Sequence, residues 1–315
     1  MRLSVSNLYS KYFQWCLQGL FFMFISSCGG NNQSNIPQET PTSGTINISV
    51  DESFKPVMDS QIKVFESSYP NAKINVHYKP EAACFRDLTY KDSARLIIVT
   101  RGLTQPERNF YEDSFHFIPN YGKLAYDAIA VIVNNKSKDT ILSMAQLKLY
   151  LSSDDSTKPQ IVMDGVSATS TVRYMMDSVL RGQPLGKNVV AAKSSEEVIN
   201  YVADHQNAIG FIGVSWIGNQ DDPQQLSFQK KVKIAAVQCV SCLGETYVEP
   251  YQANIALKRY PMVRDVYYIL KEDFHGIGNN FVNFLQYERG QLIFKRAYLW
   301  PARMSFEIRN SNITE

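Results

Sequence analysis

Histidine is scarce in this chain of 315 residues. The four present, His77, His116, His205 and His275, are too scattered for a zinc pair or a His-Glu-x-x-His helix. A Gly-x-Ser-x-Gly elbow is also missing, and nothing ties a serine or cysteine nucleophile to a histidine, so a hydrolase has no signature here. An excess of charge of one sign is lacking too. The balance of 32 basic against 30 acidic residues, with no basic run or basic-aromatic stripe, excludes a nucleic-acid binder working by bulk charge. No repeat of solenoid period is visible.

Cysteine is sparse. Cys239 and Cys242 stand at C-x-x-C spacing, which fits a short-loop disulfide in an oxidising envelope or half a metal site. With no second pair at zinc spacing, a structural or incidental pair is the better reading, and Cys84 is left odd. No metal and no cofactor is expected.

The hydrophobic content of 44% and charged content of 20% are those of a globular chain with room for two domains. The start differs. Arg2 and Lys11 precede an apolar run, Leu20 to Ile25, too short for a permanent span, and Ser26-Ser27-Cys28-Gly29 follows. This is the order of a secretory signal over residues 1–27, and Cys28 resembles the lipidated cysteine of a bacterial lipobox. Residues 28–44 have no apolar periodicity and read as a flexible tether. The folded body is then expected to hang in the cell envelope, facing the periplasm, on a lipid carried by Cys28.

The body alternates. TINISV reads as a strand, and Phe54, Val57, Met58, Ile62 and Phe65 read as the apolar face of a helix. KINVHY is a strand, a helix follows around Ala82 to Leu88, and Leu96 to Val99 is a buried strand running into Thr100-Arg101. Thr104 to Glu107 forms a capping box with Pro106 in its first turn. Leu124 to Asn134 is the longest strand-like run. Beyond it come a helix opened by Ser143 and Gln146, a strand at 160–163, a helix behind Ser167 to Thr171, a capping box at Ser194 to Glu197, and strands at 208–216, 232–237 and 263–270. A C-terminal helix carries Phe281, Phe284 and Leu285, the first two as core. Such α/β alternation implies mainly parallel sheets flanked by helices, with ligand chemistry at the carboxyl ends of strands. Asp51-Glu52-Ser53, Thr100-Arg101 and Ser167 to Thr171 are those ends. The last of these is a hydroxyl-rich helix start with Arg173 one turn in, and its natural guest is an oxyanion.

The order of lipobox, tether, INISVDESFKPVM, the strand ending in Thr-Arg, AYDAIAVIVN, the hydroxyl run before TVRYM, AIGFIGVSW and GQLIFKRAYLWP resembles the PstS-like phosphate-binding branch of the type II periplasmic substrate-binding proteins. It is similar above all to lipoprotein members of Bacteroidetes type. The resemblance covers about residues 45–305. It implies a two-lobed α/β fold with two hinge crossovers, near Tyr126 to Val131 and near Val237 to Tyr251. Lobe I is then 45–131 with 238–315, and lobe II is 132–237. It further implies a non-enzymatic monomer that closes on phosphate or a similar oxyanion and docks on an ABC permease.

Carried over residue by residue, Ser53, Thr100, Ser167, Thr169, Ser170 and Thr171 match the family's hydroxyl positions, and Arg101 and Arg173 are the candidate cations. The family's usual arginine precedes the hydroxyl run, where this chain has Asp164-Gly165. Arg101 has a plainer reading as a surface partner of Glu81 or Glu107, and Glu81 one as a helix N-terminal charge. Tyr126, Asp127, Tyr251 and Gln252 are either ligand contacts or hinge packing.

Asp51-Glu52 stands where the family more often has Gly and Ser. A carboxylate about 4 Å from an anion costs roughly 4 kcal/mol at an effective dielectric near 20, and one charged hydrogen bond returns about 1.5 to 3. Three outcomes follow: the side chains point away, one accepts a proton from monohydrogen phosphate, or the ligand is not phosphate. The competing function is a surface or outer-membrane lipoprotein that keeps the bilobal fold as an interaction or sensor module with a degraded anion site.

Overall fold

The computed structural model describes residues 39–90, 94–165 and 169–304. The signal, Cys28, most of the tether and Ser167 lie outside them.

Thirteen strands are found among the described residues: β1 Ser43–Asp51, β2 Asn71–Lys79, β3 Leu96–Val99, β4 Asn120–Asn134, β5 Ile141–Leu142, β6 Gln160–Met163, β7 Val189–Ala191, β8 Ala208–Gly213, β9 Val232–Ile234, β10 Ala236–Gln238, β11 Tyr247–Val248, β12 Val263–Leu270 and β13 Trp300–Pro301. The α-helices are α1 Lys55–Ser68, α2 Glu81–Thr89, α3 Gln105–Phe115, α4 Met144–Leu151, α5 Ser170–Tyr174, α6 Ser195–Asp204, α7 Pro223–Gln229, α8 Gln252–Ala256, α9 Ile277–Gln286 and α10 Glu288–Arg296. None of the described helices is long and apolar enough to cross a membrane.

β4 organises the molecule. The main sheet runs β2-β1-β3-β12-β4-β8-β6-β7, with β9 and β13 also on β4. Up to Ala128, β4 pairs antiparallel with β12; from Ile129 on it pairs antiparallel with β8. Its neighbours therefore change at one point, next to Asp127, within the crossover expected at Tyr126 to Val131. On one side of that point β1, β2 and β3 are mutually parallel, and on the other β6, β7 and β8 are. Parallel strands of this kind are covered on both faces and read as unbroken apolar runs. Leu96-Ile97-Ile98-Val99 is such a run, fully buried.

Strand periodicity divides the core. Leu96 and Ile98 of β3 face the large cluster shared with α1 and α9, while Ile97 and Val99 face a smaller one with Cys84, Leu88 and Tyr111. Val131 and Val133 of β4 join the large cluster, and Ala130 and Ile132 pack instead on Val198 and Val202 of α6. Phe281 and Phe284 both meet Phe65 of α1, with ring centroids 5.0 and 5.6 Å away. The capping box expected at Thr104 forms, and the helix opened by Ser143 and Gln146 starts with one too; at Ser194 only half forms, the hydroxyl accepting the Glu197 N–H while the Glu197 carboxylate turns to the Lys193 N–H.

The structure divides one expected strand. Residues 232–237 split into β9 and β10, because β9 joins β4 while β10 leaves to pair with β5 and β11. Cys239 and Cys242, just beyond β10, form a disulfide, and Cys84 is free and buried.

Candidate functional site

The carboxyl ends of β1, β3, β6 and β8 converge at the β4 switch point, where open α/β sheets place their ligands. β1 ends in Asp51, whose Oδ1 accepts the Ser53 N–H at 3.0 Å and so starts the short 3-10 turn Glu52–Phe54. β3 delivers Thr100. β6 delivers Asp164, and after it Thr169 caps α5, its Oγ1 accepting the Val172 N–H at 3.2 Å. β8 ends in Gly213, and Ser215 just beyond donates to the Ser53 carbonyl at 3.2 Å.

A guanidinium from β12 sits among these ends. Arg264 lies opposite Asp127 in the β4–β12 register, and its Nε donates to Asp127 Oδ2 at 2.8 Å. Its Nη1 donates to Ser170 Oγ at 2.8 Å and to Thr171 Oγ1 at 3.3 Å. Ser170 Oγ is in turn 3.5 Å from Ser53 Oγ, so hydroxyls from the two halves of the sheet meet over one cation. Four buried polar atoms here have no partner: Arg264 Nη2, Asp51 Oδ2, Asp127 Oδ1 and Asp164 Oδ1. Leaving such a group unpaired costs about 1 to 3 kcal/mol. One free donor and three free acceptors gathered around the switch point make this the candidate binding site.

A second constellation adjoins the first. The Thr100 N–H and Oγ1 both donate to Glu81 Oε1, at 2.8 and 2.6 Å. Arg173 Nε donates to Glu81 Oε2 at 2.7 Å, and its Nη2 to Thr100 Oγ1 at 2.6 Å. Glu52 makes a third bridge, accepting the Ser195 hydroxyl at 2.7 Å and the Ser195 N–H at 3.2 Å, at the start of α6.

Five carboxylates (Asp51, Glu52, Glu81, Asp127 and Asp164) thus gather with two guanidiniums, of which Glu52 meets neither directly. Burial raises Asp51, with Arg264 opposing and Glu81 adding to the rise. Burial also lifts Glu52 to about 7, against the Ser195 hydrogen bonds. Asp164 is pushed to about 6 by burial and by the charge of Asp51. Asp127 is raised by burial while Arg264 pulls it down. Glu81 behaves differently: burial would raise it, yet the Arg173 and Thr100 hydrogen bonds outweigh burial and hold it below the usual range. Of the five, Glu81 alone is held below its usual range.

Of the residues singled out in the sequence, Ser53, Thr100, Thr169, Ser170, Thr171 and Arg173 are brought together here. Arg101 is not. It makes a two-pronged pair with Glu107, both contacts at 2.8 Å, and its guanidinium lies 3.8 Å from the Phe85 ring centroid. Glu81 pairs with Arg173, not with Arg101. Tyr251 is exposed, and Gln252 reaches the Leu299 carbonyl at 3.0 Å, so neither joins the cluster. Of the Asp51-Glu52 pair, Asp51 caps its own turn with one oxygen and leaves the other without a partner, whereas Glu52 turns to α6. Sequence reasoning missed Arg264. Its signal was an arginine inside the apolar strand MVRDVYYIL, where a buried cation demands a partner.

Residues 35–289 match the family described as PBP superfamily domain. The phosphate-binding protein PstS of Pseudomonas aeruginosa is 22% identical over 223 residues, 64% of this chain and 65% of that protein's length. Among solved structures, a Clostridium perfringens protein described as a phosphate ABC transporter substrate-binding protein, with bound phosphate, superposes with a TM-score of 0.67. It is 20% identical, over 82% of this chain and 100% of its own. An ABC-type phosphate transport receptor from Vibrio cholerae gives a TM-score of 0.58 at 19% identity, over 81% of this chain and 99% of its own.

Proposed function

The chain belongs to the PBP superfamily, and on that premise we propose that it is a non-enzymatic, extracytoplasmic binding protein that captures phosphate or a similar small oxyanion for an ABC importer. The observation that carries this reading is the free Nη2 of Arg264, buried beside Ser53, Ser170 and Thr171. The guest sits between two lobes, 45–131 with 238–315 and 132–237, which share β4 as one hinge. A lipid on Cys28 holds the chain at the membrane as a monomer.

The free atoms define the guest. Arg264 Nη2 calls for an anionic acceptor, whereas Asp51 Oδ2 and Asp164 Oδ1 call for a donor. A monohydrogen or dihydrogen phosphate has both kinds of oxygen, and sulfate has acceptors only. A micromolar affinity needs about 8 kcal/mol, within reach of a few charge-assisted hydrogen bonds at about 1.5 to 3 kcal/mol each after ordering costs. Phosphate retention in equilibrium dialysis tests the reading. The wild-type chain is expected to retain phosphate, and a Ser170→Ala/Thr171→Ala variant to lose at least tenfold in affinity. Retention by the variant equal to that of the wild type refutes the site, and no retention by folded, ligand-free wild type refutes the function.

A further inference from the structure

Glu81 has more hydrogen bonds than a helix N-terminal charge requires. It stands at the first position of α2, where a carboxylate is stabilised by the helix end alone, with no need of a distant partner. Here both of its oxygens are spent elsewhere. Oε1 receives the Thr100 backbone N–H and hydroxyl at 2.8 and 2.6 Å, and Oε2 receives Arg173 Nε at 2.7 Å. A backbone N–H at a strand end, a hydroxyl and a guanidinium around one planar anion make the donor set of an oxyanion site. The anion in it is the chain's own. Its side chain is 4% exposed, and the Thr100 and Arg173 contacts hold it in the charged form.

The bridge also crosses the molecule. Glu81 and Thr100 follow β2 and β3, whereas Arg173 lies in α5 behind β6, on the other side of the β4 switch point. Asp51 sits within reach of both charge groups, its carboxyl feeling Arg264 and Glu81 alike.

The geometry points to Glu81 as an intramolecular occupant of an oxyanion subsite made by Thr100 and Arg173, which confines any free guest to the Arg264 side and fixes how large and how highly charged that guest can be. Glu81 is thereby a specificity-determining residue. Its effect on guest selection rests on the oxyanion-capture reading; its occupancy of the Thr100–Arg173 donors does not. Two donors predicted from the sequence to hold the ligand, Thr100 and Arg173, are then reserved by a tethered carboxylate. A polyanion such as pyrophosphate, which needs both subsites at once, is excluded.

The test removes the carboxylate and offers one back. Glu81→Ala is expected to melt below wild type and to regain several degrees of Tm in a saturable way with millimolar sodium formate, against a sodium chloride control of equal ionic strength. Wild type should not respond to formate beyond that control, and Glu81→Ala/Arg173→Met should lose the response. Should the alanine variant fold too poorly, Glu81→Ser keeps a small polar helix-start residue, vacates the Thr100–Arg173 donors, and carries the same formate titration. In phosphate titrations either Glu81 variant should bind at least tenfold more tightly than wild type and should accept pyrophosphate. A formate response equal in variant and wild type, or one that survives loss of Arg173, overturns the occupancy. Weaker phosphate binding in a formate-responsive variant overturns the selectivity role and makes Glu81 a positioning residue for Arg173. Formate rescue with no phosphate binding in any form leaves the occupancy standing and sinks the phosphate reading instead.

Discussion

At the scale of the residue, Arg264 carries most of the argument. Its charge is buried, matched by Asp127 at 2.8 Å, and spread over Ser170 and Thr171. Removing one partner of a buried pair typically costs about 3 to 5 kcal/mol. Asp127→Asn is therefore expected to lower unfolding free energy by about 3 kcal/mol in urea titrations at pH 7; a loss under about 1 kcal/mol contradicts the account. Arg264→Lys keeps a charge but not the fork that reaches Asp127 and Ser170 together. It should weaken phosphate at least thirtyfold in calorimetry, and an unchanged affinity would move the site elsewhere. Gly213 backs this group. A Cβ there would stand 3.1 Å from the Ser53 carbonyl oxygen and 3.3 Å from Arg264 Nη2, tighter than ordinary packing. Gly213→Ala should shift Arg264 enough to weaken phosphate severalfold while costing about 1 kcal/mol of stability, read by the same titrations. Half of this site was legible beforehand. Ser53, Thr100 and Ser170 stand at strand ends, and a strand end announces itself in sequence. Arg264 and Asp127 lie inside strands from distant parts of the chain. Only the β4–β12 register, fixed by packing, makes them partners.

At the scale of the element, the short turn after β1 and the start of α6 form an interlock whose strength depends on pH. Glu52 titrates at about 7 in the folded chain against an ordinary 4.5, and Asp164 at about 6 against 3.8. Both hold a proton more tightly when folded. The stability they contribute is full below their ordinary values and is lost as pH rises through the folded ones, a window of about 4 to 7. Each shift corresponds to something on the order of 3 kcal/mol. Glu81 opposes this only in acid, because its lowered value contributes stability that is lost as pH falls below the usual Glu range. Unfolding free energy should thus fall between pH 5 and pH 8, and Glu52→Gln should flatten that fall. A wild-type stability that rises over the same interval would contradict the burial of these carboxyls. The elements themselves were legible because their signals are local. The capping box at Thr104, the helix opening at Ser143 and the apolar periods of α1 and β3 need no partner to be read. The division of residues 232–237 into β9 and β10 was not, since it depends on which neighbour each half finds.

At the scale of the whole molecule, β4 ties the two halves of the sheet, and polar bridges cross between them, among them Glu81 to Arg173, Glu52 to Ser195, and Arg264 to Ser170. In the proposed binding role, lobes that close on a guest through such bridges need an open partner state, and ligand would shift the balance between the two. Small-angle scattering is expected to give a smaller radius of gyration with saturating phosphate than without it. Equal radii would mean that Glu81 and Glu52 already hold the lobes shut. The alternation of strands and helices made this architecture readable from the sequence, whereas the contest between guest and internal carboxylates was not, because it is decided by side-chain direction.

The most direct measurement of the central claim, that the cleft takes a small oxyanion bearing a proton, is calorimetric titration with phosphate and with sulfate at pH 6 and pH 8. The account predicts saturable phosphate binding at both values, at least severalfold tighter at pH 6, where more of the phosphate carries a second proton to donate to the free Asp51 and Asp164 oxygens, with sulfate giving no saturable heat. Sulfate binding as tight as phosphate, or phosphate binding that strengthens toward pH 8, would contradict it.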